Sequence, residues 1–171
     1  DAPEGGNKVT TSTPVLKDIT LYAQWKDTTI RGECGSNLKW SLNEDTGVLH
    51  ISGSGEMSDY HSADGLESPW HDYAASIKSV VIGSGVKTVG NYAFANLKNL
   101  SSIEINAELK RLGDGAFYGC TALSDVEGIE GVRIIGNDCF RGCSALSTIG
   151  IPSGCTSVGS YAFAGTAIKS I

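Results

Sequence analysis

Residues 100–122, LSSIEINAELKRLGDGAFYGCTA, are followed directly by residues 123–145, LSDVEGIEGVRIIGNDCFRGCSA, and the two segments align without a gap. The chain has four phenylalanines, each 23 residues after the one before: Phe94, Phe117, Phe140 and Phe163. Glycines form a second column at the same interval: Gly90, Gly113, Gly136 and Gly159. Whole columns that recur at a fixed interval of roughly 20–50 residues are typical of a solenoid built from stacked coils.

One repeat contains one predicted strand and one predicted turn. In the motif Leu100-x-x-Ile103-x-Ile105, the isoleucines alternate with polar residues and are expected to point inward, which is the period of a half-buried strand. We therefore expect one parallel sheet along the length of the stack. Residues 114–119 are too few for a regular helix and predict a helical turn that directs Phe117 into the core. The predicted fold is a mainly β repeat solenoid with short helical turns, because one coil cannot bury its apolar face alone.

The composition favours a folded, turn-rich chain. Of 171 residues, 40% are hydrophobic and 19% are charged, and 22 glycines stand against 4 prolines. The net charge is −6, without a cluster of lysine and arginine, so no nucleic acid is expected as a partner. No apolar run approaches the ~20 residues that span a bilayer, and Asp1 does not begin a signal-peptide pattern. We expect no membrane span in this fragment and an export signal, if one exists, upstream of it.

The cysteines follow the repeat rather than a disulfide framework. Their number is odd and none forms a CxxC pair: Cys34, Cys120, Cys139, Cys143 and Cys155. Cys120 and Cys143 share a column with Leu97 and Thr166, which is typical of a packing position. Because neighbouring coils lie ~5 Å apart, a Cys120–Cys143 bridge is geometrically conceivable, and two buried thiols are the favoured alternative.

The repeat resembles the BspA-type leucine-rich repeat of bacterial surface proteins. Leu100-x-x-Ile103-x-Ile105 and the later IGNDCFRGC of residues 135–143 are similar to the consensus of that family, and the similarity covers residues 76–171. The resemblance implies a leucine-rich-repeat stack of 23-residue coils in a secreted or cell-surface bacterial protein. It also implies adhesion to a host or bacterial surface protein or to a glycan.

Two further segments precede the repeats. Residues 29–75 contain a predicted β-hairpin with a polar turn at residues 43–47, and they are expected to form an N-terminal cap. Their pattern from Cys34-Gly35 to Pro69-Trp70 resembles the capping segment found before BspA-type repeats. Residues 18–25, DITLYAQW, resemble the last strand of the Listeria–Bacteroides (internalin B-type) repeat, so residues 1–28 are identified as the C-terminal remnant of such a module.

No catalytic or metal-binding motif stands out. The three histidines all precede the repeats: His50, His61 and His71. Their spacing to neighbouring carboxylates matches no metal-ligand pattern, and no nucleophile is paired with a base in the sequence. We therefore expect no enzyme activity, no metal and no cofactor.

Two functions fit this fold: a binding module that mediates adhesion or protein recognition through the solenoid face, and a structural spacer or stalk that displays another domain. The outward sheet positions that distinguish them are small and acidic, without an aromatic anchor. Glu104 and Glu127 are expected ~5 Å apart on neighbouring strands, beside Ser102 and Asp125. These four residues are the predicted ligand site, for a basic stretch of a partner protein, and a solvated acidic face is the alternative.

The end of the sequence leads to one more expectation. Ile171 falls in the column of Val80, Ile103, Val126 and Ile149, so the sequence stops inside a fifth predicted strand. We expect the native protein to continue, and the open edge of the truncated solenoid to favour end-to-end self-association.

Overall fold

The computed structural model describes residues 28–61 and 67–169. Its strands, in chain order, are β1 Thr29–Gly35, β2 Leu38–Asn43, β3 Val48–Gly53, β4 Gly55–Glu56, β5 Ser79–Ile82, β6 Val86–Val89, β7 Ser102–Ile105, β8 Arg111–Leu112, β9 Asp125–Glu127, β10 Ile134–Ile135 and β11 Ser157–Val158. A 3₁₀ helix spans His71–Tyr73, and no helix in the described ranges has the length and apolar character that crossing a bilayer requires. The predicted remnant at residues 1–28, apart from Thr28, and the predicted strand position of Ile171 lie outside the described residues.

The first sheet has six strands in the order β1-β2-β3-β5-β7-β9. Strands β1, β2 and β3 are antiparallel neighbours, and β3 then pairs in parallel with β5, the first strand of the repeats. Ser79 pairs with Ser102, and Ser102 pairs with Asp125, so the register advances by 23 residues at each step. Burial alternates along β7, which confirms the inward and outward positions that the sequence predicted.

A second sheet has five strands in the order β11-β10-β8-β6-β4. All of its strand pairs are parallel. Thr88 pairs with Arg111, and Arg111 pairs with Ile134, so this sheet also advances by 23 residues at each of these steps. The sequence predicted one sheet only, because the repeat strands of this second sheet are two to four residues long, too short for alternation to be visible. The first three coils therefore contribute a strand to each sheet.

The phenylalanines form one stack through the core. The ring centroids of Phe94 and Phe117 lie 5.4 Å apart and those of Phe117 and Phe140 5.3 Å apart, with interplanar angles of 10° and 12°. Phe163 continues the stack beyond Phe140 at 5.5 Å. At the other end Trp70 stacks on Phe94 at 5.2 Å, and its indole N–H donates a hydrogen bond to a backbone carbonyl of the first turn. Trp70 therefore begins the aromatic ladder.

Two columns beside the phenylalanines hold successive coils close together. A Cβ at Gly136 would lie 2.6 Å from the backbone nitrogen of Asp114 and 2.6 Å from the carbonyl carbon of Gly113, so the close approach requires glycine. The next column forms a side-chain ladder. Asn91 Oδ1 accepts from the backbone N–H of Asp114 at 2.8 Å, and Asp114 Oδ1 accepts from that of Asn137 at 3.0 Å. The ladder satisfies backbone donors that stacking would otherwise leave unpaired.

All five cysteines are free thiols, so Cys120 and Cys143 are buried thiols and not a bridge. Cys120 Sγ lies 3.0 Å from the Phe94 carbonyl oxygen, and Cys143 Sγ lies 3.2 Å from that of Phe117, so each thiol donates to the turn of the preceding coil. Burial raises the pKa of the Cys120 thiol well above its usual value and that of Cys143 to about 11. A buried neutral thiol is inert, which agrees with a packing role.

Residues 29–75 contact the repeats through strand pairing and through packing. The predicted hairpin is present as β2 and β3, and β3 pairs with β5. Trp40 of β2 packs edge-to-face on Trp70, with ring centroids 6.0 Å apart. Asp59 Oδ1 accepts the backbone N–H of Asn91 at 2.7 Å, which extends the side-chain ladder into this segment. These contacts place the segment against the first coil, and its role as a cap stays a prediction.

Candidate binding surface

The four predicted site residues lie together on the outer face of the first sheet. Ser102 pairs with Asp125 and Glu104 pairs with Glu127, so the two glutamates are direct neighbours on β7 and β9. All four line a shallow depression of about 190 Å³, and none of the described residues that line it is aromatic. Glu104 Oε1 accepts a hydrogen bond of 2.8 Å from the Asn106 side chain. The four residues are therefore neighbours, as predicted, and the described residues around them provide no aromatic anchor.

His61 and His71 line one cleft, whereas His50 does not line it. His50 is exposed on β3. The His61 ring lies 5.8 Å from the Tyr92 ring, and His71 Nε2 lies 3.0 Å from a carboxylate oxygen of Glu67. In residues 28–61 and 67–169, no group of three or more His, Cys, Asp or Glu side chains is placed to hold a metal ion.

A second surface is formed by the turns around the phenylalanines, and we name it the turn face: Tyr92, Tyr118, Arg141 and Tyr161. Its tyrosines are exposed by 37%, 37% and 69% in chain order. Arg141 Cζ lies 5.5 Å from the centroid of the Tyr161 ring, and Arg141 Nη1 lies 3.0 Å from Asp138 Oδ1, so the guanidinium is held over the ring. Tyrosine and arginine are among the residues that most often anchor interfaces. The turn face therefore holds the kind of anchor that the first sheet lacks.

Each turn has two positions with a left-handed backbone. One column, with φ between 52° and 58°, holds Tyr92, Gly115, Asp138 and Tyr161, and the other holds Asn96, Gly119, Gly142 and Gly165. Glycine adopts this conformation freely, whereas a residue such as tyrosine loses ~1–2 kcal/mol. Two tyrosines are therefore retained where glycine would fit better. Backbone strain of this kind clusters at functional sites.

Two clefts open on the turn face, and Tyr118 and Asn96 line both of them. The smaller, of about 130 Å³, lies between the turn face and residues that precede the repeats, among them Tyr60 and Glu67. The larger, of about 560 Å³, continues past Arg141 to the fourth coil. Tyr92 lines the smaller cleft, Arg141 lines the larger one, and Tyr118 lies between the two.

The sequence pattern does not reveal the turn face, because outward positions can be predicted only where strand alternation is visible. Tyr92 and Tyr161 share a column, but Gly115 and Asp138 lie between them in it, so no aromatic repeat marks that column. Tyr118 belongs to a different column. The available signal is the variability of the two columns that hold these residues, because the phenylalanine and glycine columns close to them are constant.

Residues 70–171 match the family model described as BspA type Leucine rich repeat region (6 copies). A solved structure of a leucine-rich repeat protein from Eubacterium ventriosum is similar to this chain at 29% identity, with a TM-score of 0.71. That match covers 82% of this chain and 37% of the other, so the chain spans little more than a third of the length of that protein. No curated protein matches the sequence.

Two further solved structures share the fold. One is a leucine rich cell surface protein from Faecalibacterium prausnitzii, with 23% identity, a TM-score of 0.56, and coverage of 80% of this chain and 47% of the other. The second is the T. pallidum Leucine Rich Repeat protein, with 20% identity, a TM-score of 0.56, and coverage of 78% and 67%. At these identities the likeness concerns the fold alone.

Proposed function

The chain belongs to the BspA-type leucine-rich-repeat family, and we propose that it is a non-catalytic binding module of a bacterial cell surface, with the turn face as its recognition surface. Stacked repeats present extended surfaces that suit macromolecular partners. The partner class is a protein or glycan of a host or bacterial surface. The F. prausnitzii neighbour is described as a cell surface protein, which agrees with this location.

The concentration of anchors on the turn face is the observation that carries this proposal. Tyr92, Tyr118 and Tyr161 are three of the five large hydrophobic residues that are exposed in the described ranges, and Arg141 lies among them. Interface energy is concentrated in a few tyrosine, tryptophan and arginine side chains. A structural spacer does not require exposed aromatic rings. Two of these residues, Tyr92 and Tyr161, also have a strained, left-handed backbone.

The acidic patch, defined as Ser102, Glu104, Asp125 and Glu127, is a second candidate surface. Like charges on directly paired residues of a sheet repel each other and destabilise it, and Glu104 is paired directly with Glu127. Retention of this pair favours a role in attracting a basic segment of a partner, chiefly through the association rate. A solvated acidic face on a spacer is the alternative.

An array of immobilised extracellular-matrix proteins and cell-surface glycans, probed at low and high salt, tests both surfaces. We expect the wild-type protein to bind at least one component, and the variant Tyr118→Ser/Tyr161→Asn to lose at least about tenfold in affinity, because each ring is a candidate hot spot. Asparagine is chosen at position 161 because it tolerates the left-handed backbone.

The variant Glu104→Lys/Glu127→Lys is the comparison on the other surface. Loss of binding in this variant alone, with an unchanged circular dichroism spectrum, would move the site to the acidic patch. Binding that neither double variant weakens would contradict both candidate surfaces. A wild-type protein that binds nothing on the array would favour the spacer.

A further inference from the structure

The smaller cleft lies where the turn face meets the segment before the repeats. Its walls include Tyr60, His61, Glu67 and His71 on one side and Tyr92, Asn96 and Tyr118 on the other. Its volume of about 130 Å³ is below the ~300 Å³ at which pockets for whole drug-sized ligands begin. The cleft therefore suits one ring or one side chain of a larger ligand.

Two tyrosine rings in the walls of the cleft, Tyr92 and Tyr60, pack against other parts of the fold. A Cβ at Gly115 would collide with the Tyr92 ring, so that ring lies directly over the next coil. Tyr60 is almost fully buried and packs edge-to-face on Trp70, with the ring centroids 6.1 Å apart. This contact holds the Tyr60 ring in position. The face of an aromatic ring is negative and attracts the weakly positive C–H groups of a saturated ring.

The polar groups of the cleft supply donors and acceptors together. His71 Nε2 lies 3.0 Å from Glu67 Oε2, which orients the carboxylate. A carboxylate has about four acceptor sites, so Glu67 can still accept from two neighbouring hydroxyl groups. The Oδ1 atom of Asn96 already accepts from Lys98 Nζ at 3.4 Å, and its Nδ2 group can donate to a ligand. A ligand with hydroxyl groups around an apolar ring can stack on the tyrosine rings and form hydrogen bonds with the polar side chains.

The net charge of the chain and the carboxylate in the cleft bear on which ligand charge is favoured. The chain carries a net charge of −6 and the cleft contains a carboxylate, both of which disfavour an anion. The carboxylate of Glu67 already has His71 as its partner, which weakens its attraction for a cation. A neutral polar ligand remains.

We propose that this cleft binds a single pyranose ring of a neutral glycan, stacked on Tyr92 and Tyr118 and hydrogen-bonded by Glu67 and Asn96. The proposal rests on the turn face being the recognition surface, and it names the ligand at one end of that surface. The proposal also explains why a tyrosine stands at position 92, where the backbone is left-handed with a φ of 52°. The equivalent residue of the next coil is Gly115, with a φ of 58°. A tyrosine kept at a glycine-like position indicates that the ring itself is needed.

Saturation-transfer NMR with the methyl pyranosides of glucose, galactose, mannose and N-acetylglucosamine tests the proposal on the full chain. We expect wild-type protein to give a signal with at least one pyranoside, and Tyr92→Asn to weaken that binding at least tenfold. Asparagine suits the left-handed backbone, so the thermal unfolding midpoint should stay within a few degrees of wild type. Glu67→Gln should weaken the same binding while leaving the backbone at residue 92 untouched.

Ile134→Asn is the matched control, because it removes an apolar side chain of similar exposure, 41%, from the second sheet. Its binding should equal that of wild type. The proposal is overturned if no pyranoside gives a signal, if Tyr92→Asn binds as well as wild type, or if tetramethylammonium or methyl phosphate gives the signal in place of the sugars. Array binding that depends on Tyr118 and Tyr161 without any pyranoside signal would overturn the cleft assignment and leave the turn face as the recognition surface.

Discussion

The substitution Phe117→Ala removes the middle ring of the core ladder. Phe117 is fully buried, and its ring centroid lies 5.4 Å from that of Phe94 and 5.3 Å from that of Phe140. Loss of a buried phenylalanine side chain costs ~3–5 kcal/mol through lost burial and the remaining cavity. Two stacked pairs disappear as well, each worth ~0.5–1.5 kcal/mol. Since such terms overlap, we expect a loss of about 4–5 kcal/mol, a large share of the ~5–15 kcal/mol by which a typical domain is stable.

Urea unfolding followed by tryptophan fluorescence and circular dichroism measures this loss, because Trp70 stacks on the same ladder. Phe163→Ala is the matched control. In the described structure its ring stacks on that of Phe140 only, and it is partly buried, so about half the loss is expected. Equal losses at the two positions, or a loss below ~2 kcal/mol for Phe117→Ala, would refute the reasoning that stacking through the middle coils stabilises the solenoid.

The remaining predictions concern the thiols, the coil spacing and the cap. Under native conditions a maleimide should modify Cys155 alone, since the other four cysteines are buried, and all five should react in guanidinium; rapid native labelling of a second thiol would contradict the burial argument. Burial raises the pKa of Cys34 to about 12 and of Cys143 to about 11 from 9.0, so the unfolded chain loses these protons first as pH rises. The contribution of these thiols to the free energy of unfolding should be constant below about pH 9 and should then fall by up to ~1.4 kcal/mol per pH unit and thiol, and this fall should be smaller in Cys143→Ala. Gly136→Ala should cost ~1–3 kcal/mol in urea unfolding because its Cβ would meet the preceding coil, whereas Gly150→Ala, with nothing within 4 Å, should not. Deletion of residues 29–75 should leave an aggregating or molten product, because the first coil would expose Ile77, Val80 and Ile82; a cooperative unfolding transition of residues 76–171 would disprove the capping role.

Part of the candidate site could be predicted from the repeat interval. Glu104 and Glu127 occupy equivalent positions in consecutive coils, and coils of equal length must superimpose, so their pairing follows from the interval alone. The turn-face tyrosines could not be found in this way. Tyr92 and Tyr118 differ in position within their coils, and their exposure depends on left-handed residues that interrupt any simple period.

The sequence by itself determined the coil and its stacking. Apolar columns at one interval can be buried only by superimposing the coils, which places the phenylalanines in one ladder and the outer sheet residues in register. Tertiary structure alone decided the second sheet and the small cleft. Strands of two residues carry no alternation, and the cleft joins Glu67 to Tyr118, residues that become neighbours only when the preceding segment packs against the first coil. A repeat interval specifies which residues are equivalent in successive coils, but side-chain direction at a left-handed turn and contacts outside the interval depend on the folded backbone.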